Sequence, residues 1–208
     1  MLIYRAARFS FYMMFVLALP ILFNTTYIIH LWLGQNPEHV VLFVQLVIIF
    51  SLCETLSNPL ITVMLATGNI RNYQLVVGGL QLLNLPISYA VLRMGAIPES
   101  VMMVAIILSL TCLATRLYML RTMIGFSIRR YISQVLINVS SVAVVSVLPV
   151  SVVYMFRDDT FGFLVLNGLS CVVIASLSVY YVGCNIHERQ FIREKVFAKL
   201  EKTLRIIR

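Results

Sequence analysis

Long runs of apolar residues, separated by short polar segments, extend from the start of the chain to about position 183. A helix needs roughly 20 apolar residues to cross the hydrocarbon core of a bilayer, and six runs meet that requirement. They predict transmembrane helices near 7–33, 38–66, 73–94, 98–122, 132–155 and 161–183. The pattern therefore predicts an all-α integral membrane protein, with a six-helix transmembrane bundle over residues 1–184.

The composition excludes a soluble globular domain. Hydrophobic residues make up 61% of the chain and charged residues 12%, and the mean hydropathy is +0.95. Soluble domains are about half apolar and a quarter charged, so this chain has too little polar surface to coat a globule. The four cysteines are dispersed through the apolar runs, which is typical of small packing residues rather than of a disulfide framework or a zinc site.

The distribution of Lys and Arg predicts the orientation, because these residues are enriched in cytoplasmic flanks. With the N-terminus placed in the cytoplasm, the outer loops contain Arg93 and Arg157. The inner side then contains Arg5, Arg8, Arg71, Arg121, Arg129, Arg130 and the basic C-terminal tail. Both termini are therefore predicted to be cytoplasmic.

The last segment, residues 185–208, differs in kind from the rest. Seven of the sixteen basic residues lie in the last twenty positions, and apolar residues such as Ile192, Val196 and Leu200 recur at helical spacing. This pattern predicts an amphipathic cytoplasmic helix on the anionic membrane surface. Membrane lipids are the expected partner of the positive charge, nucleic acid is not, and a helix that docks a protein partner is the alternative.

Two outer loops share one arrangement, "GQNPE" at 34–38 and "GAIPE" at 95–99. Glycine suits the position after a helix end, proline the first turn of the next helix, and glutamate the positive end of its dipole. Within the first span, Pro20 followed by Asn24 predicts either a kink or a split into a span and a short interfacial piece.

Polar residues inside the predicted spans form stripes at a spacing of three or four residues, which places them on one helix face. A charge at the bilayer centre costs about 2.5–3.5 kcal/mol on insertion scales, so such residues usually face a bundle interior or a watery cavity. The candidate substrate path consists of Glu54, Asn58, Gln74, Gln81, Asn84, Arg116 and Asn138.

Glu54 and Arg116 lie at similar predicted depths, each about 25 Å below the outer end of its helix at 1.5 Å per residue. They are expected to pair or to share one cavity. Two alternatives stay open at this point: Arg116 extends its long side chain to the inner headgroups, and the smaller polar residues only hold helices together.

Catalysis is not expected. His30, His39 and His187 lie near or outside the predicted membrane edges, so no serine in a span has a histidine base beside it. The sequence contains no G-x-S-x-G, H-E-x-x-H or Walker A motif. The chain is therefore predicted to be neither an enzyme nor a binder of a cofactor or a metal.

Three stretches resemble the later helices of bacterial polysaccharide flippases of the O-antigen type, in the multidrug/oligosaccharidyl-lipid/polysaccharide exporter superfamily. They are "LWLGQNPEHV", "NPLITVMLATGNIRNYQLVVGGLQLLNLPISYAVLRMGAIPES" and "RLYMLRTMIGFSIRRYI". The resemblance implies a protein of lipopolysaccharide biosynthesis in the bacterial inner membrane. Its implied substrate is undecaprenyl-pyrophosphate-linked oligosaccharide, moved to the outer leaflet by alternating access between two helical lobes.

Family members have about twelve to fourteen spans, so the resemblance covers the C-terminal part and implies a missing N-terminal lobe as partner. With such a substrate, Arg116 is expected to meet phosphates and the amide side chains to meet sugar hydroxyls. Glu54 is expected to pair with Arg116 or to carry a coupling proton. The alternative function is a non-transporting anchor or scaffold of a glycan-assembly complex, in which the polar stripes join helices.

Overall fold

The computed structural model describes residues 2–35, 37–68, 70–154, 161–185 and 188–190, and its regular elements over these residues are all helical. The α-helices are α1 (Leu2–Leu33), α2 (Val40–Ala66), α3 (Ile70–Leu82), α4 (Asn84–Arg93), α5 (Ser100–Ile124), α6 (Ile128–Tyr131), α7 (Ile137–Tyr154) and α8 (Phe161–Ser178). Two π-helical segments, Ile132–Leu136 and Val179–Gly183, connect α6 to α7 and extend α8.

Within the described residues, six helical segments are long and apolar enough to cross a membrane, which confirms the predicted number of spans and describes a multi-pass membrane protein. They are Leu2–Leu33, Val40–Ala66, Ile70–Arg93, Ser100–Ile124, Ile128–Tyr154 and Gly162–Gly183. Most of their ends lie within about four residues of the predicted positions, because runs of apolar residues define the spans. The predicted amphipathic tail helix falls mainly on residues 191–208, which lie outside the described residues.

The helices pack in an order different from their order in the chain. Helix α1 packs against both α2 and α8, α2 packs against α5, and α5 contacts both halves of the third span. Helix α7 completes the arrangement against α8. The apolar core follows the contacts of α1, with Phe15, Leu19, Leu60 and Leu120 among its buried residues.

Prolines affect the spans unequally. Helix α1 continues through Pro20 to Leu33, so the predicted split of the first span is wrong. The side-chain amide of Asn24 donates a hydrogen bond of 2.8 Å to the backbone carbonyl of Pro20. Both polar groups therefore have a partner inside helix α1. Pro59 and Pro149 likewise lie within continuous helices.

The third span is interrupted. Helix α3 ends at Leu82 and α4 begins at Asn84, with Leu83 between them. Pro86 has no N–H to donate to the carbonyl of Leu82 four residues earlier, so one hydrogen bond of the ladder is lost at this point. The N–H of Leu83 still donates to the carbonyl of Gly79 at 3.2 Å, and the N–H of Ile87 donates to that of Leu83 at 3.1 Å. This span also has the smallest buried share of the six, 11% in its most apolar window, against 39% for the first span. The break therefore lies in the most peripheral span.

The two turns that contain Gly34 and Gly95, which are predicted to be the outer turns, partly follow the sequence prediction. Gly34 and Gly95 adopt φ angles of +72° and +86°, as expected after a helix end. Pro37 and Pro98 precede the helices rather than lying in their first turns, since α2 begins at Val40 and α5 at Ser100.

Glu99 was expected to face the helix dipole, and its carboxylate accepts no bond from the helix start. Instead, Oε1 of Glu99 lies 2.5 Å from Nδ1 of His39 in the other turn. The contact between His39 and Glu99 therefore joins the two outer turns.

A cluster of charged residues joins the two ends of the described chain. Nη2 of Arg8 donates to Oε1 of Glu188 at 2.8 Å, and Nε of Arg5 lies 3.2 Å from the same oxygen. Nη1 of Arg8 donates to the carbonyl of Gly183 at 3.3 Å. We call Arg5, Arg8 and Glu188 the terminal cluster. It fixes the start of the C-terminal segment against α1.

Candidate functional site

The break in the third span borders a cavity of about 210 Å³ with one polar wall and apolar walls formed by Phe50, Ala105 and Leu108. Its polar wall consists of Glu54 from α2, Gln81 from the end of α3, Asn84 from the start of α4 and Ser109 from α5. Glu54 lies near the middle of its span, so the cavity is near the middle of the predicted membrane. The structure thus brings together three of the seven predicted path residues, and adds Ser109.

The polar groups of the cavity bond mainly to neutral partners. The Ser109 hydroxyl donates to Oε1 of Glu54, which couples α5 to α2. The Ser88 hydroxyl donates to Oδ1 of Asn84 at 3.1 Å. The ion pairs found among the described residues do not include Glu54. The carboxyl group of Glu54 is thus the acidic group of the cavity, held by a hydroxyl rather than by a cation.

Arg116 lies on the same helix as Ser109, two turns closer to the predicted inner side. Its side chain is 2% exposed, so within this structure it does not extend to the headgroups. Nε donates to the hydroxyl of Tyr73 on α3 at 3.3 Å, and Nη1 has no hydrogen-bond partner among the described residues. Arg116 does not line the cavity and does not form the alternative ion pair with Glu54.

Asn138 belongs to a different part of the molecule. Its Oδ1 accepts a hydrogen bond of 2.7 Å from the hydroxyl of Tyr12, which also lies 3.3 Å from the carbonyl of Gly183. These contacts connect α7 with α1 near the terminal cluster. The structure therefore does not bring Asn138 to the Glu54 cavity, because the first π-helical segment and α7 pack on the α1–α8 side.

Asn58 and Gln74 are exposed on the surface of the six-span unit and do not line the cavity. Asn58 is one turn beyond Glu54 on α2, and Gln74 is near the start of α3. Amide groups exposed at membrane depth are unfavourable against lipid tails, where no water replaces their hydrogen bonds. Each of these two positions is therefore unfavourable in direct contact with bulk lipid.

Comparisons of the chain with protein-family models, with curated proteins and with solved structures found no match. The candidate site consequently rests on the residues and geometry described above.

Sequence reasoning missed several of the partners. Ser109 is recognisable as part of the polar stripe that contains Arg116, seven residues later on α5, but the stripe does not identify Glu54 as its partner. Tyr73 and Val77 are the buried residues of α3, but one such i, i+4 pair does not identify the partner helix. Arg8 and Glu188 are 180 residues apart, and no sequence pattern relates them.

Proposed function

We propose that the chain forms part of a membrane flippase that moves undecaprenyl-pyrophosphate-linked oligosaccharide to the outer leaflet for surface polysaccharide or lipopolysaccharide assembly. The observation that carries the proposal is the polar cavity at the break of the third span. Interrupted helices beside polar residues at mid-membrane depth are typical of transporters, in which irregular backbone lines a cavity.

The chemistry of the cavity suits a glycan. A carboxyl group, two side-chain amides and a hydroxyl offer both donors and acceptors to sugar hydroxyls. Its volume of about 210 Å³ is below the range of about 300–1,000 Å³ that is common for small-molecule sites. On this proposal the cavity therefore holds one portion of the glycan at a time.

Arg116 supplies the complementary charge for a pyrophosphate. Guanidinium groups bind phosphate oxygens through charge-assisted hydrogen bonds, and Nη1 of Arg116 has an unused donor. Tyr73 covers Arg116 from the weakly buried third span. Movement of α3 away from α5 would give an anionic substrate access to the guanidinium.

The exposed amides of Asn58 and Gln74 fit the same proposal. A second helical lobe facing them across a watery path would remove them from lipid contact. The location that follows is the bacterial inner membrane, with both termini in the cytoplasm. Cysteines placed at Ala96 should then be labelled from outside intact cells by a membrane-impermeant maleimide, whereas cysteines at Ser127 should not.

The main test replaces Glu54 with Gln in cells whose surface polysaccharide depends on this chain. Loss of the carboxylate from the polar wall should lower export at least tenfold at equal protein level, measured by surface glycan staining. Glu38→Gln is the matched control, since Glu38 is an exposed carboxylate just before the same helix. Wild-type export by Glu54→Gln would remove the cavity from the transport path.

A second candidate is a non-transporting anchor or scaffold of a glycan-assembly complex. Interhelical hydrogen bonds favour it, since Glu54 bonds Ser109, Asn138 bonds Tyr12 and Asn167 bonds Asn24 at 3.0 Å. Such bonds are typical of helix association in membranes. For an anchor, Glu54→Gln should leave export unchanged while the protein level and the enzyme association stay normal.

A further inference from the structure

An apolar groove of about 440 Å³ lies between α1 and the last span. Its walls include Phe9, Met13 and Leu17 on one side and Ser176, Val179 and Tyr180 on the other. Met13 is 74% and Leu17 65% exposed, so the groove opens to the surroundings of the bundle. An open apolar groove at this depth suits a hydrocarbon chain.

The end of the groove is cationic. Arg5, Phe9, Met13 and Leu17 recur every four residues, so Arg5 continues the same face of α1 beyond the apolar part. The side chain of Arg5 is 53% exposed, and its guanidinium is available on that face in addition to its contact with Glu188. An exposed arginine therefore lies at this end of the groove.

A second arginine, Arg189, lies at the same end of the groove, on the side of the last span. The guanidinium carbon of Arg189 lies 6.0 Å from the centre of the Tyr180 ring, and its Nε donates to the carbonyl of Cys184 at 3.1 Å. Tyr180 and Cys184 both line the groove. Arg189 thus lies beside the groove with hydrogen bonds to uncharged carbonyl groups.

The charges at this end do not balance. Arg5 and Arg8 share one carboxylate, Glu188, while Arg189 bonds backbone carbonyls. Nε of Arg8 is buried and has no hydrogen-bond partner among the described residues. Among the described residues, three arginines beside one glutamate leave a surplus of positive charge at this end of the apolar groove.

We propose that this groove binds one acyl chain of an anionic phospholipid, with the headgroup phosphate held by Arg5 and Arg189. The apolar walls select a hydrocarbon chain, and the surplus of arginine selects a negative headgroup over a zwitterionic one. This site is separate from the Glu54 cavity and does not depend on the proposed transport function.

The test uses the full chain in liposomes and a photoactivatable diazirine on the acyl chain of either phosphatidylglycerol or phosphatidylcholine. Crosslinked peptides are mapped by mass spectrometry. Label at residues 9–17 and 176–184 should be stronger with phosphatidylglycerol. An arginine near a membrane surface contributes up to about fivefold in affinity, so two give a preference of up to about 25-fold.

Two pairs of variants separate the headgroup from the chain. Arg5→Gln combined with Arg189→Gln should reduce phosphatidylglycerol labelling of the groove to the phosphatidylcholine level, whereas Arg129→Gln with Arg130→Gln should preserve the preference. Leu17→Trp should reduce groove labelling by both lipids, whereas Leu31→Trp, an exposed leucine on the same helix, should not.

Equal groove labelling by the two lipids in the wild-type protein would overturn the proposal. So would an unchanged preference in the Arg5/Arg189 double variant, or unchanged labelling in Leu17→Trp. Only variants whose melting temperature in detergent equals that of the wild type are compared. If the Arg5/Arg189 double variant fails to fold, Arg189→Gln alone serves, with an expected loss of up to about fivefold in labelling.

Discussion

Arg8 and Arg116 are buried to nearly the same extent, 4% and 2% exposed, in very different surroundings. Arg8 donates to the carboxylate of Glu188 and to the carbonyl of Gly183. Arg116 donates to the hydroxyl of Tyr73, and its Nη1 has no partner among the described residues. Within the described part of the chain, Arg8 has a carboxylate partner and Arg116 has none.

The difference separates a structural charge from a candidate functional one. A buried ion requires an opposite charge and hydrogen bonds to offset its desolvation, and Arg8 has both. Arg116 remains unfavourable unless an anion or water reaches it in another state of the protein. Glu54 resembles Arg116 in this respect, because its carboxylate accepts a hydrogen bond from the neutral hydroxyl of Ser109.

The largest expected effect is on the terminal cluster. Arg8→Gln leaves Glu188 buried without its closest cation and should lower the free energy of unfolding by about 3 kcal/mol. SDS titration in mixed micelles measures this change. Arg8→Gln combined with Glu188→Gln should be no less stable than the poorer single variant, since no unpaired charge remains.

Cys184 offers a second measurement of the same cluster. Burial raises the pKa of the Cys184 thiol, and the nearby Glu188 carboxylate raises it further, so the wild-type thiol should react slowly with maleimide. In a chain with Cys184 as its single cysteine, Arg8→Gln should accelerate labelling by exposing the thiol, although loss of the Arg8 charge by itself raises the pKa of the thiol and acts in the opposite direction. Equal stability and equal labelling in Arg8→Gln would show that the cluster does not hold the two ends together.

A smaller stability effect is expected at Arg116. Arg116→Gln removes a charge that has no acidic partner among the residues that the structure describes, so the free energy of unfolding should stay within about 1 kcal/mol of the wild type. On the proposed transport function, polysaccharide export should nevertheless decrease at least tenfold. Arg121→Gln, at an exposed position on the same helix, should change neither quantity. A loss of about 3 kcal/mol at Arg116 would instead place it with Arg8 as a structural charge.

The smallest effect is expected at the pair between the outer turns. The His39 side chain is 49% exposed, although Glu99 is 2% exposed, so solvent screens the interaction. His39→Gln should lower the free energy of unfolding by less than about 1 kcal/mol. His30→Gln, at an exposed position near the same end, gives the baseline. A loss comparable to that of Arg8→Gln would mean that partial exposure does not weaken such a pair here.

The spans were predictable because each depends on a continuous local property, the length of an apolar run. Part of the cavity was predictable for a related reason. Glu54 is an unusual residue in such a run, and Gln81 and Asn84 lie on either side of the break that Pro86 produces. Local rules therefore located the residues that a transporter would place at mid-membrane depth.

The assignment of partners was not predictable, since it depends on which helices touch. Arg116 lies on the helix that packs against α3, and this packing determines that Tyr73 covers it. Asn138 is a polar residue inside a predicted span, like the other candidates, but its helix packs beside α1 and places it against Tyr12. The order in which the helices pack separates these cases, and a single sequence does not give that order.

The two π-helical segments, Ile132–Leu136 and Val179–Gly183, have a consequence for the alignment of the polar contacts. A wider turn absorbs additional chain length, so the residues after it present a different face from the one that uninterrupted α-helical numbering assigns. In the α-helix each residue advances the face by about 100°, so the shift is large. Asn138 lies just after the first segment and Gly183 ends the second, and both contact the hydroxyl of Tyr12. The shift after the first segment therefore helps to determine that Asn138 faces Tyr12 on α1.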